Sequence, residues 1–162
     1  MSGGLGVETS IQDRYFAELR CFGCGPKNVK GLRLRSFPAE DQTVRARFVP
    51  WPEHDNGIGF LNGGIIATLL DCHSAAAVAV RSEQLGLPPN GLLHYVTAGL
   101  NVSYLRPAPL REAVDLVARI GSADENEMRV EVELWWEAKP RAAAQATWKR
   151  WRPRPGASPQ QH

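Results

Sequence analysis

Two glycines at the head of an apolar run, and one carboxylate eight positions into it, are the residues whose types and spacing could do chemistry. In the stretch NGIGFLNGGIIATLLD, residues 56–71, Gly63 and Gly64 open a segment of Ile, Leu and Ala that holds the acid Asp71. At a helix start the first backbone N–H groups have no acceptor within the helix, and the aligned peptide dipoles give that end partial positive charge. Glycines there let a ligand oxygen come close to the backbone. An acid set among aliphatic side chains is costly unless something uses it. Asn56 and Asn62 flank the turn with amides that both donate and accept, although each taken singly reads as a loop or helix-cap residue.

The other reactive side chains read as structural. Cys21 and Cys24 form a CxxC, but a zinc site needs further ligands, and the sequence offers no second CxxC and no HxxxH. The pair is therefore expected to be a tight turn at Gly23 and Gly25, with no metal. His54 sits in the Pro/Gly-rich loop WPEHDNGIGF and reads as a loop-packing residue. His73 follows Asp71 closely in sequence but points about 100° per residue further round a helix, so it is expected to be a core or interface histidine.

The elements that must position these residues follow from periodicity. Residues 11–19 carry Ile11, Tyr15, Phe16 and Leu19 on one helical side. Leu32 and Leu34 alternate with Arg33 and Arg35, and Val44, Ala46 and Phe48 alternate with Arg45 and Arg47, which predicts a hairpin turning through residues 38–41. A helix over residues 63–84 is apolar nearly all round and must be wrapped by other structure. Four strands follow, in which Val96, Ala98, Leu100, Val102 and Tyr104 share one face of the first, with Tyr95, Thr97 and Gly99 on the other. The cleanest alternation is residues 128–136, and the last strand, from residue 142 to about 151, is rich in Ala. Two strands, a buried helix and four strands define an α+β domain with a sheet curled round a helix.

A chain of 162 residues supports one domain, expected over residues 11–152 between a flexible tail at 1–10 and a Pro-rich disordered tail at 153–162. A net charge of +2 with scattered basic residues argues against a nucleic-acid partner. The start lacks the pattern of a signal peptide, and the apolar run 65–80 is short for a membrane span, so a cytoplasmic protein with reduced cysteines is expected.

The spacing Asn56, Asn62-Gly63-Gly64, Asp71 resembles that of the hotdog-fold acyl-CoA thioesterases of the 4-hydroxybenzoyl-CoA and phenylacetate-degradation type. In that family an amide residue is followed six positions later by His-Gly-Gly and then by an acid eight positions beyond the first glycine. Asn62 stands where the histidine would be; its amide can still donate a hydrogen bond but does not titrate near neutral pH. The stretches NVSYLRPAPL and CFGCGPKNVKGLRL resemble further parts of the superfamily, so the likeness runs over about residues 20–150.

The resemblance implies the hotdog fold and hydrolysis of an acyl-CoA thioester, with CoA entering as part of the substrate and no separate cofactor. It implies that Gly63 N–H, with Gly64, faces the developing oxyanion, that Asp71 is general base or nucleophile, and that Asn56 positions the water or thioester. Asn62 and Thr97 fall among the substrate-binding positions. Eight residues of helix separate Gly63 from Asp71 by about 12 Å, so one chain does not bring both to one thioester. A two-fold homodimer does, and further assembly to tetramers is common in the family. The other reading is a non-hydrolytic protein of the same fold that binds an acyl-CoA or acyl-carrier thioester.

Overall fold

A computed structural model describes residues 8–156. The ends of both expected tails, 1–7 and 157–162, lie outside the described residues. Inside them Ser10 is buried and caps the first helix, its side chain accepting from Asp13 N–H. The elements are α1 (Ile11–Tyr15), β1 (Ser36–Pro38), β2 (Val44–Phe48), α2 (Gly63–Gln84), β3 (Tyr95–Tyr104), β4 (Val114–Ala123), β5 (Glu127–Trp136) and β6 (Lys139–Arg150).

The strands form one six-stranded antiparallel sheet in the order β1-β2-β4-β5-β6-β3. Val114, Leu116 and Ala118 of β4, Met128, Val130, Val132 and Leu134 of β5, and Ala142, Ala144 and Ala146 of β6 all point inward. Against them lie Leu69, Leu70, Ala76, Ala77, Val78 and Ala79 of α2. The alanines of β6 leave room for the helix to come close, and Trp148 donates from its indole nitrogen to Ser74 Oγ at 2.9 Å, tying β6 to α2. A sheet curled round one long helix is the hotdog arrangement. By length and composition α2 could cross a membrane, yet more than half of its most apolar window is buried within the fold, which makes it a core helix. Full burial of a leucine such as Leu69 contributes about 1.5–3 kcal/mol.

Residues 32–35 depart from the expected strand. Leu32 and Leu34 are buried, but their N–H groups donate to the carbonyls of Phe22 and Gly23 at 2.8 and 3.0 Å. Arg33 lies at φ 50°, so no ladder can run through it and β1 starts only at Ser36. The Cys-Gly turn has taken the backbone groups that a strand would have used. A hairpin still forms, but further along the chain: Ser36 lies opposite Ala46 and Pro38 opposite Val44, so Pro38 is in the strand and the turn begins at Ala39.

A second departure lies in β3. Thr97 pairs with Trp148 and Gly99 with Thr147, so Ala98 drops out of register as a bulge. Residues directly opposite in a ladder share a face. Trp148, Ala146, Ala144 and Ala142 face the core, so their partners Thr97, Leu100, Val102 and Tyr104 all lie on the helix side of the sheet. The two faces expected for β3 are thus exchanged at the bulge, and Thr97 leaves the face it would otherwise share with Gly99.

Candidate active site

α2 opens without an acidic residue in its first turn. Asn62 is the N-cap, and its side-chain oxygen accepts from Gly64 N–H at 2.8 Å and Ile65 N–H at 3.2 Å. Gly64, expected as a second donor to substrate, therefore has its N–H engaged by the cap. Among the described residues no protein acceptor takes the N–H of Gly63. Tyr104 holds this tip from β3: its hydroxyl donates to Gly63 C=O at 2.7 Å, with the ring lying against the glycine.

The loop before the tip is closed by two side chains. Asp55 accepts from Gly57 and Gly59 N–H, and Asn56 Oδ1 accepts from Ile58 and Phe60 N–H at 3.0 and 3.2 Å. Gly57 and Gly59 lie at φ 95° and 92°, which a side chain would strain. This bonding leaves the amide nitrogen of Asn56 available on an exposed loop. His54 packs against Phe48 and Trp51, and its carbonyl accepts from Asn62 N–H at 2.8 Å, so it supports the loop as a packing residue.

Two turns along α2, Asp71 accepts a hydrogen bond from Thr97 Oγ1 at 2.8 Å. Burial pushes the Asp71 carboxyl above its ordinary pKa, the Thr97 bond pulls it back, and the nearby Cys21 raises it. The carboxylate lines an apolar cavity of about 270 Å³, with Phe16, Leu19, Ala75, Leu93 and Val96 among its walls. His73 points away from all of this, as expected for a core histidine: it is fully buried, with Nδ1 2.9 Å from Ser36 Oγ and Nε2 2.9 Å from Val44 C=O.

Sequence reasoning missed Tyr104 and Cys72. Cys72 joins Cys21 and Cys24 in a cluster whose sulfurs all lie within 4.8 Å of one another. Cys21 Sγ and Cys72 Sγ are 3.7 Å apart, and either thiol can be the donor. Gly99 was the available signal for the bulge that turns Tyr104 and Thr97 to one face, since glycine inside a strand often marks one.

The fold thus carries an unengaged N–H at the tip of its central helix and a half-buried acid further along it. Residues 58–142 match the family model described as thioesterase superfamily, just over half of the chain, and the protein belongs to that superfamily. It is 43% identical over 89 residues to a Halobacterium salinarum protein with a provisional esterase name, covering 52% of this chain and 55% of that one. It is 34% identical over 68 residues to acyl-coenzyme A thioesterase 13 of Homo sapiens, covering 42% and 43% of the two chains. The chain spans about half the length of these curated relatives. A crystal structure of a thioesterase superfamily protein from Shewanella loihica superposes with a TM-score of 0.65 at 28% identity, over 87% of this chain and 99% of that one.

Proposed function

We propose that the protein hydrolyses an acyl-CoA thioester to the free acid and CoA at a site shared by two copies of the chain. One observation carries the reading: β3 holds both halves of the chemistry, Thr97 on Asp71 near one end and Tyr104 on Gly63 at the other. β3 is a ten-residue edge strand with Val96 and Tyr104 exposed, the kind of edge that another strand covers. A two-fold axis through Asn101 sets Val102 opposite Leu100 and Ser103 opposite Gly99. Counted with Ala98 left out of register, as it is against β6, that pairing sets Tyr104 opposite Thr97 of the other copy. Each Gly63 tip is brought toward the Asp71 of its neighbour.

In that site the Gly63 N–H, backed by the helix dipole, stabilises negative charge on the thioester oxygen as the carbonyl carbon becomes tetrahedral. Asp71 removes a proton from the attacking water, or attacks as a nucleophile to give a mixed anhydride that water then opens. By either route the C–S bond breaks, the sulfur leaves as the CoA thiolate and takes up a proton, and the acid is released. Thr97 orients the carboxylate, Asn62 fixes the tip, and the Asn56 amide nitrogen positions the water or the thioester. The apolar cavity beside Asp71 takes the body of the acyl group. Three free cysteines suit a reducing compartment such as the cytoplasm.

The test is release of CoA thiol from a small panel of acyl-CoAs by wild type and Asp71→Asn. Wild type is expected to hydrolyse at least one acyl-CoA and the variant to fall to background with its fold intact. Background release by both proteins, with acyl-CoA still bound, would instead make this a thioester-binding member of the superfamily.

A further inference from the structure

We propose that Cys21, Cys24 and Cys72 form a binding site for one thiophilic divalent metal ion, of the zinc class, that staples the N-terminal segment to the central helix. The fold supplies what the sequence lacked: Cys72, one helix position after Asp71 and 48 residues beyond Cys24, lies directly against the CxxC turn. Gly23 shows how close that approach is, because a Cβ there would sit 2.3 Å from Cys72 Sγ. Only glycine permits the turn to close over this sulfur.

The distances favour a shared ion over a disulfide. Zinc–thiolate bonds of about 2.3 Å in a tetrahedron place neighbouring sulfurs about 3.8 Å apart. Cys21 Sγ and Cys72 Sγ are 3.7 Å apart, and no pair in the cluster exceeds 4.8 Å. A disulfide would need a sulfur separation of about 2.05 Å and would leave the third thiol over, whereas one ion uses all three. The turn is also held in place by its own backbone. Gly25 N–H donates to Cys21 C=O at 2.9 Å, and Gly23 C=O accepts from Leu34 N–H at 3.0 Å. Hydrogen bonds of this kind orient a ligand from outside the coordination sphere.

All three cysteines line the cavity that Asp71 also lines. The ion's role is structural first. Phe22 and Gly23 carbonyls anchor Leu32 and Leu34, so fixing the turn fixes the segment that leads to β1 and one wall of the cavity. This inference does not depend on the thioesterase reading, and its readout is metal rather than activity.

The experiment is a cobalt(II) titration of the reduced, metal-free full chain, produced without a histidine tag, together with metal analysis of the protein as purified. Expected are one metal per protomer, a thiolate-to-cobalt charge-transfer band with tetrahedral d–d absorption, and at least tenfold weaker binding in Cys21→Ser. Cys72→Ser should behave alike; if that buried substitution prevents folding, the wild-type titration and the half-buried Cys21→Ser still decide. Wild type that takes up no cobalt with all three thiols reduced, an unchanged spectrum in Cys21→Ser, or peptide mapping that finds a native disulfide among these cysteines would each overturn the proposal.

Discussion

Asn62 gives its side-chain oxygen to the N–H groups of Gly64 and Ile65, and so leaves Gly63 as the donor at the helix tip. That division singles out one substitution. Proline is well tolerated at the first helical position, and Asn62, at φ −60° and ψ 135°, already has the backbone that a residue before proline requires. Gly63→Pro should therefore leave the helix and its cap in place while deleting the N–H. If that group holds the oxyanion, kcat should fall by about 10²–10³-fold with an unchanged melting temperature. Steady-state assay beside thermal unfolding checks this, and full activity in a folded variant would remove Gly63 from the reaction. At this scale the sequence placed Gly63 at the helix start and Asp71 two turns along the same helix, as the structure has them. Which of two adjacent glycines keeps its donor free could not, because that depends on where one amide rotates.

The bounds of α2 and the turn between β1 and β2 follow from apolar period and turn residues, both local properties of the chain. The faces of β3 do not, since one unpaired residue, Ala98, reverses the parity beyond it. The histidine in α2 yields a prediction that belongs to the packing of elements. His73 Nε2 donates to Val44 C=O, so Nδ1 is the acceptor for the Ser36 hydroxyl, which in turn receives Gln12 Nε2 from α1. With both ring nitrogens engaged and the ring buried, desolvation lowers the pKa of His73 to about 4. An unfolded chain takes up that proton near pH 6.5. The native state should hold its full stability above about pH 6.5 and lose on the order of 3 kcal/mol as pH falls toward 4. Urea unfolding across that range should show the loss, and His73→Gln should flatten it; equal slopes in the two proteins would assign the acid sensitivity elsewhere.

For the whole molecule, the question is what covers β3. A symmetric pairing through Asn101 puts that side chain directly across the axis from its own copy, where like charges destabilise a ladder. Asn101→Arg should shift the protein from dimer to monomer in sedimentation equilibrium and abolish hydrolysis, with circular dichroism unchanged. A dimer that persists, or a monomer that stays active, would place the site or the interface elsewhere. Composition and periodicity by themselves determined the α+β class, the buried central helix and the spacing of tip and acid, because each rests on contacts between residues near in sequence or on a repeat of fixed period. Only the tertiary structure decided that residues 32–35 are held as a loop by the Cys-Gly turn, that Thr97 and Tyr104 share a face, and that Cys72 completes a cluster with Cys21 and Cys24. Those outcomes depend on which distant segments compete for the same backbone hydrogen bonds and the same volume, and a local pattern at most marks a place, as Gly99 does for the bulge, without saying how that competition ends.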